Sequence, residues 1–246
     1  MRRTHPTPLP EREGSGKRQI LLASRPFAGH SGLMNKGVLA QATIRASEAL
    51  DAVYRTFEMP APSTIEGCPC CIDTRGTDVL LATPLREISG MALWRYVSGA
   101  FLTVGDEQDF RYLLPRILDV SVSDPANANN PEIVLGKLSL AGWDSWPPHE
   151  KAVIEMFVGA WFELALASDL AEADEGWIGW AAESVLCGAA RAGVQLDRWL
   201  LRLAAPDVAP VLADIRDRFP REPSGFWEDV PWAFHAVRVF LDQGRA

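Results

Sequence analysis

Gly105-Asp106-Glu107-Gln108-Asp109-Phe110-Arg111-Tyr112-Leu113-Leu114-Pro115-Arg116-Ile117-Leu118 contains a helix start and a helix face in one run. Gly105 breaks what precedes it, and Asp106 restarts the chain as an N-cap with Asp109 three residues on. Both carboxylates suit the positive end of a helix dipole. Phe110, Leu113, Leu114, Ile117 and Leu118 then recur at i, i+3, i+4, i+7 and i+8, the stripe of a helix buried on one side. Pro115 falls inside the stripe, where a missing N–H and a bulky ring predict a kink.

The same period recurs on either side. Upstream, Leu39, Ala42, Ala46, Ala49, Val53 and Phe57 predict a helix over 35–57, stopped by Met59-Pro60-Ala61-Pro62. Residues 58–82 have no convincing period and read as a loop with an extended piece at Val79-Leu80-Leu81. Thr83-Pro84 or Ser89 starts a helix that reaches Thr103 and buries Leu93, Val97, Ala100 and Phe101. Downstream, Asp124 to Asn130 is a turn cluster, and Asn130-Pro131 opens a helix with Val134, Leu138 and Ala141. Trp146-Pro147-Pro148 opens another, whose face includes Val153, Phe157, Ala160, Trp161 and Leu164. Further helices are expected at 175–191 (Trp177, Trp180, Ala181, Val185), 195–204, 207–218 and 226–242. Gly193 suits a left-handed C-cap.

Eight or nine helices on short connections make an all-α protein. Two arrangements fit: stacked antiparallel helix pairs in a short HEAT-like solenoid, or an orthogonal helical bundle. No period of 34–47 residues marks a named repeat. Of the 246 residues, 34–246 read as one all-α domain, long enough to bury roughly 70% of its unfolded surface.

Residues 1–33 differ in kind. They hold six basic residues against two acidic ones, and His5-Pro6-Thr7-Pro8-Leu9-Pro10-Glu11-Arg12-Glu13-Gly14 has no helical or strand period. They read as a disordered basic leader. The string resembles the translated intergenic repeats that a misassigned start codon adds, with Met34 as the alternative start; the rival reading is a regulatory basic arm. Ile20-Leu21-Leu22-Ala23 is too short for a signal-peptide core. The most apolar stretch, Val153 to Ala167, contains Glu155 and Glu163, so no membrane span and no membrane partner is expected, and a cytoplasmic location is the default expectation.

Charge narrows the partners. Setting aside residues 1–33 leaves 18 Lys and Arg against 30 Asp and Glu, a net −12. Such a body repels phosphate backbones, which argues against nucleic acid, and attracts a protein with a basic surface.

Gly67-Cys68-Pro69-Cys70-Cys71-Ile72 is the most unusual short segment, and three readings of it stay open. As a metal site, Cys68, Cys70 and Cys71 supply two or three soft ligands for a zinc ion, with Cys187, His149 or His235 needed to complete the set. As a redox site, Cys68 and Cys71 have C-P-x-C spacing, although the flanks lack the strand and helix of a glutaredoxin. As structure, the cysteines act as small apolar residues pinning a loop. Cys187, between Leu186 and Gly188, reads as core packing.

Asp106, Glu107 and Asp109 fit capping better than cation binding. His149-Glu150 is adjacent on a helix, so the two side chains diverge. No G-x-S-x-G, H-E-x-x-H, G-x-x-x-x-G-K-[ST] or G-x-G-x-x-G occurs, and no catalytic residue is assigned; the balance leans away from an enzyme. The expected function is a cytoplasmic protein–protein interaction module: an acidic helical scaffold, adaptor or immunity-type inhibitor. The alternative is a thiol-based metal-binding or redox-sensing protein.

The C-P-x-C segment, Pro84-Leu85-Arg86-Glu87-Ile88-Ser89 and Gly105 to Arg116 together resemble segments of bacterial α-helical proteins with no known activity. The likeness spans roughly residues 65–165. It implies a helical fold and transfers no role to any residue.

Overall fold

The computed structural model describes residues 18–19, 28–68 and 76–243, with the side chains of 18–19, 28–34, Trp177 and Ile178 outside the description. Among the described residues there are ten α-helices. They are α1 (Ala28–Thr56), α2 (Thr77–Ala82), α3 (Gly90–Gly99), α4 (Glu107–Ser123), α5 (Pro131–Leu140), α6 (Pro148–Asp174), α7 (Ala181–Arg191), α8 (Asp197–Leu203), α9 (Ala209–Arg218) and α10 (Pro231–Asp242). The fold is all-α. The only sheet among the described residues is a two-residue antiparallel pairing of Arg18–Gln19 with Trp177–Ile178.

The capping box at α4 forms as its sequence demands. The Asp106 carboxylate accepts from Asp109 N at 3.0 Å, and the Asp109 carboxylate accepts from Asp106 N at 3.2 Å. Two N–H groups that lack helical partners are thereby satisfied. Helix α4 continues through the buried Pro115 to Ser123. At α3 the cap is Ser89, whose hydroxyl accepts from Ala92 N at 3.3 Å. Thr83 instead closes α2, and Pro84 leads into a 3₁₀ turn at Leu85–Glu87. Asn130 makes no side-chain cap bond, leaving Pro131 to open α5 through its fixed φ. Gly193 is left-handed, φ +81°, as expected for a C-cap.

Several boundaries differ from the sequence reading. The helical count is ten because α2 replaces the expected extended piece at Val79-Leu80-Leu81. It buries Leu80 and leaves Val79 exposed, too short a run to display a period. Helix α1 begins at Ala28, ahead of Met34; most of the expected leader lies outside the described residues. The expected 175–191 helix is α7 alone, because left-handed Gly176 and the Trp177–Ile178 pairing precede it. Trp180, expected in a helical core face, is the residue before α7 and is exposed, with the Arg218 guanidinium 4.7 Å over its ring. The last helix divides into a 3₁₀ segment, Gly225–Asp229, and α10, separated at Val230.

Helices α1 and α6, far apart in sequence, make the most extensive pairing in the molecule. Helix α4 also packs on α1, α7 and α9 on α6, and α5 on α7. A solenoid confines each repeat to its chain neighbours, so this long-range pairing favours the bundle alternative. Gly188 on α7 permits the α5 contact: a Cβ there would lie 2.7 Å from Pro131 O. One continuous core runs from Ala49 to Leu241.

Candidate functional site

The chain entering the cysteine segment is tied to the turn between α3 and α4. Glu66 O accepts from Gly105 N at 2.7 Å, and Cys68 N donates to Thr103 O at 2.8 Å. Gly67 and Val104 form an antiparallel bridge between these contacts. Two segments separated by more than thirty residues in sequence thus meet at the start of α4. Phe101, with φ +61°, turns the chain there, in a region L-residues seldom occupy.

Between the two segments lies an open pocket of about 630 Å³, with Glu66, Cys68, Thr103, Asp106, Gln108 and Asp109 among its lining residues. Asp109 is buried, and that burial is the main cause raising its carboxyl from the ordinary value to about 6. The hydrogen bond from Asp106 N opposes the rise, while the nearby Asp106 and Glu66 charges add to it. Tyr96 is wholly buried and its hydroxyl lacks a hydrogen-bond partner. That hydroxyl ends at Gly105 in the pocket wall, where a Cβ would lie 2.6 Å from it. Gly105 has φ +72°, so glycine is required there by both backbone and space. The phenol is pushed upward, first by burial and then by Asp109 and Asp106. Thr103 Oγ1 is a second buried, unpartnered hydroxyl, on a lining residue.

Of the cysteines singled out by sequence, Cys68 is half-buried and lines the pocket; Cys70 and Cys71 lie outside the described residues. The residues that would complete a zinc site do not converge on it. Cys187 is buried on α7, its thiol pushed up chiefly by burial, with Glu132 adding to the rise. His149 and His235 are exposed on α6 and α10. Among the described residues, no group of three or more His, Cys, Asp and Glu is placed to hold a metal ion. Glu150 pairs with Arg111 rather than with His149. Glu107 also pairs with Arg111, at 3.3 Å, so Asp106, Glu107 and Asp109 are engaged in capping and ion pairing.

Sequence reasoning missed Glu66, Tyr96 and Thr103. Tyr96 sits at helical spacing between Leu93 and Val97, like any core aromatic, and only the turn after α3 shows that its hydroxyl lies against Gly105, a residue of the pocket wall. Around the segments that carry the resemblance, contacts form at two places among the described residues. Residues 66–68 bond to 103–105, and Arg116 Nε donates to Ile88 O at 2.9 Å.

A second polar cluster ties helices together. Glu183 on α7 pairs with Arg218 on α9, each 3% exposed, and accepts from Ser224 N at 3.1 Å and Trp227 Nε1 at 3.2 Å. Glu132 on α5 accepts from Ser224 Oγ at 3.0 Å, its carboxyl raised mainly by burial.

No family model, curated protein or solved structure matches this chain. Among the described residues, no helix is long and apolar enough to cross a membrane.

Proposed function

We propose that this chain is a cytoplasmic protein-binding scaffold, an adaptor or immunity-type inhibitor, whose acidic surface engages a partner with a basic face. The net −12 of residues 34–246 carries this reading. Arg111, Arg116, Arg191, Arg202 and Arg218 each pair with carboxylates of the same chain, so the acidic surplus is left to the exposed surface. Apolar contact area adjoins it: Met91 and Trp94, one turn apart on α3, are 70% and 50% exposed, and Leu102 at the pocket is 69% exposed. An interface combines such apolar anchors with charge that steers and orients the partner.

The test is isolation of the partner from cytosol at low salt, followed by calorimetry with both proteins purified. A saturable complex is expected, weakening about tenfold or more between 0.05 and 0.3 M salt as the charges are screened. Turnover of a small substrate, lost on changing one polar residue, would overturn the scaffold reading, as would the lack of any saturable complex.

The placement of Cys68 in a pocket wall beside buried carboxylate and hydroxyl groups supports a second reading, a thiol-based sensor or zinc site with Cys70 and Cys71. Elemental analysis and thiol counting on reduced protein separate the two. A bound metal or a reactive thiol favours the sensor.

A further inference from the structure

The pocket between residues 62–68 and 101–109 has the size of a ligand site, about 630 Å³ against a usual range of roughly 300–1,000 Å³. Its polar chemistry is one-sided. Three carboxylates, Glu66, Asp106 and Asp109, line it, and among the described residues none of the fourteen that line it is Lys, Arg or His. The guanidinium nearest in sequence, Arg111, is held by Glu107 and Glu150.

Capping explains the Asp106–Asp109 pair, but it leaves two further groups unexplained. The fully buried Tyr96 hydroxyl and the buried Thr103 hydroxyl have no partner among the described residues. A buried hydroxyl left unpaired is destabilising, and both lie where pocket residues meet: Thr103 lines the pocket, and Tyr96 abuts its wall at Gly105. Hydroxyl oxygens and carboxylates are all acceptors for N–H donors. Glu66 is exposed and so is accessible to an incoming group.

We infer that this pocket binds a protonated amine or guanidinium, presented as the tip of a Lys or Arg side chain on the basic partner. The source of that cation rests on the scaffold reading; the pocket's selectivity for cations does not. A cation seated among the carboxylates favours their ionised forms, so binding is tighter above pH 6, where Asp109 gives up its proton.

The experiment is an NMR titration of the full chain with n-butylguanidinium and n-butylammonium, using n-butylurea as the neutral isostere. Saturable shifts are expected at the amides of Gly67, Cys68, Thr103 and Gly105. Binding weakens at least threefold in Glu66→Gln and in Thr103→Val, and again when the pH is lowered from 7 to 5. Amide dispersion in each variant reports that it is folded. The pocket assignment is overturned if the cations give no saturable shift, if n-butylurea matches them, or if both variants bind as the parent does. A partner complex indifferent to Glu66→Lys also overturns it, yet leaves the scaffold reading standing. Cation binding that depends on Glu66 supports the pocket even where no protein partner is found.

Discussion

Among the described residues, Arg218 and Glu183 are the most completely buried ion pair, and what surrounds them sets their energetic role. Glu183 also accepts from Ser224 N and Trp227 Nε1, and Arg218 lies over Trp180 and 3.2 Å from Asp214. Removing one partner of such a pair leaves an uncompensated buried charge, whereas replacing both with apolar groups removes the problem. Arg218→Met is therefore expected to lower unfolding free energy by about 3–5 kcal/mol in denaturant titration. Glu183→Leu combined with Arg218→Met recovers a large part of that loss. A double variant no more stable than Arg218→Met would show that the pair is worth more than its desolvation. Neither residue was identifiable in sequence: thirty-five positions separate them, and each alone reads as an ordinary charge on a helix.

At the scale of elements, long amphipathic stretches announced themselves and short ones did not. The Phe110–Leu118 stripe and the Asp106–Asp109 capping box mark the face and the first turn of α4 in the sequence itself. Helix α2 has six residues and its period never develops; the Trp177–Ile178 pairing depends on a partner strand elsewhere in the chain. The link between α6 and α7 shows the same dependence. Asp169, on α6, accepts from Ala182 N at 2.9 Å and Ala181 N at 3.2 Å, supplying α7 with the cap that its own sequence lacks. Burial raises this carboxyl to about 7, outweighing the two backbone bonds that lower it. In the unfolded chain it titrates near about 4, so between those values the folded state holds the extra proton. The contribution of Asp169 to stability accordingly falls as pH rises from about 4 to 7, and below about 4 it levels off. In Asp169→Asn that component is absent. The stability of the parent relative to the variant should decline across this window; a difference that stays flat or grows with pH would contradict the assignment.

For the whole molecule, the pairing of α1 with α6 joins an early helix to a central one, and the apolar core is continuous from Ala49 to Leu241. Elements that share one core lose their packing together. A single unfolding transition is expected in urea, with coincident midpoints by tryptophan fluorescence and far-ultraviolet circular dichroism. Separate midpoints would mean that the helices after α7 form an independently stable unit. The sequence by itself determined that helices dominate, where α4 and α6 begin, and that the body is acidic, because periodicity, caps and charge are local or additive properties of the chain. It did not determine that α1 would lie along α6, that Glu66 and Cys68 would meet Thr103 and Asp109 in one pocket, or that the Tyr96 hydroxyl would abut Gly105 in its wall. Those juxtapositions arise from packing between residues distant along the chain, and one sequence contains no record of which distant faces will meet.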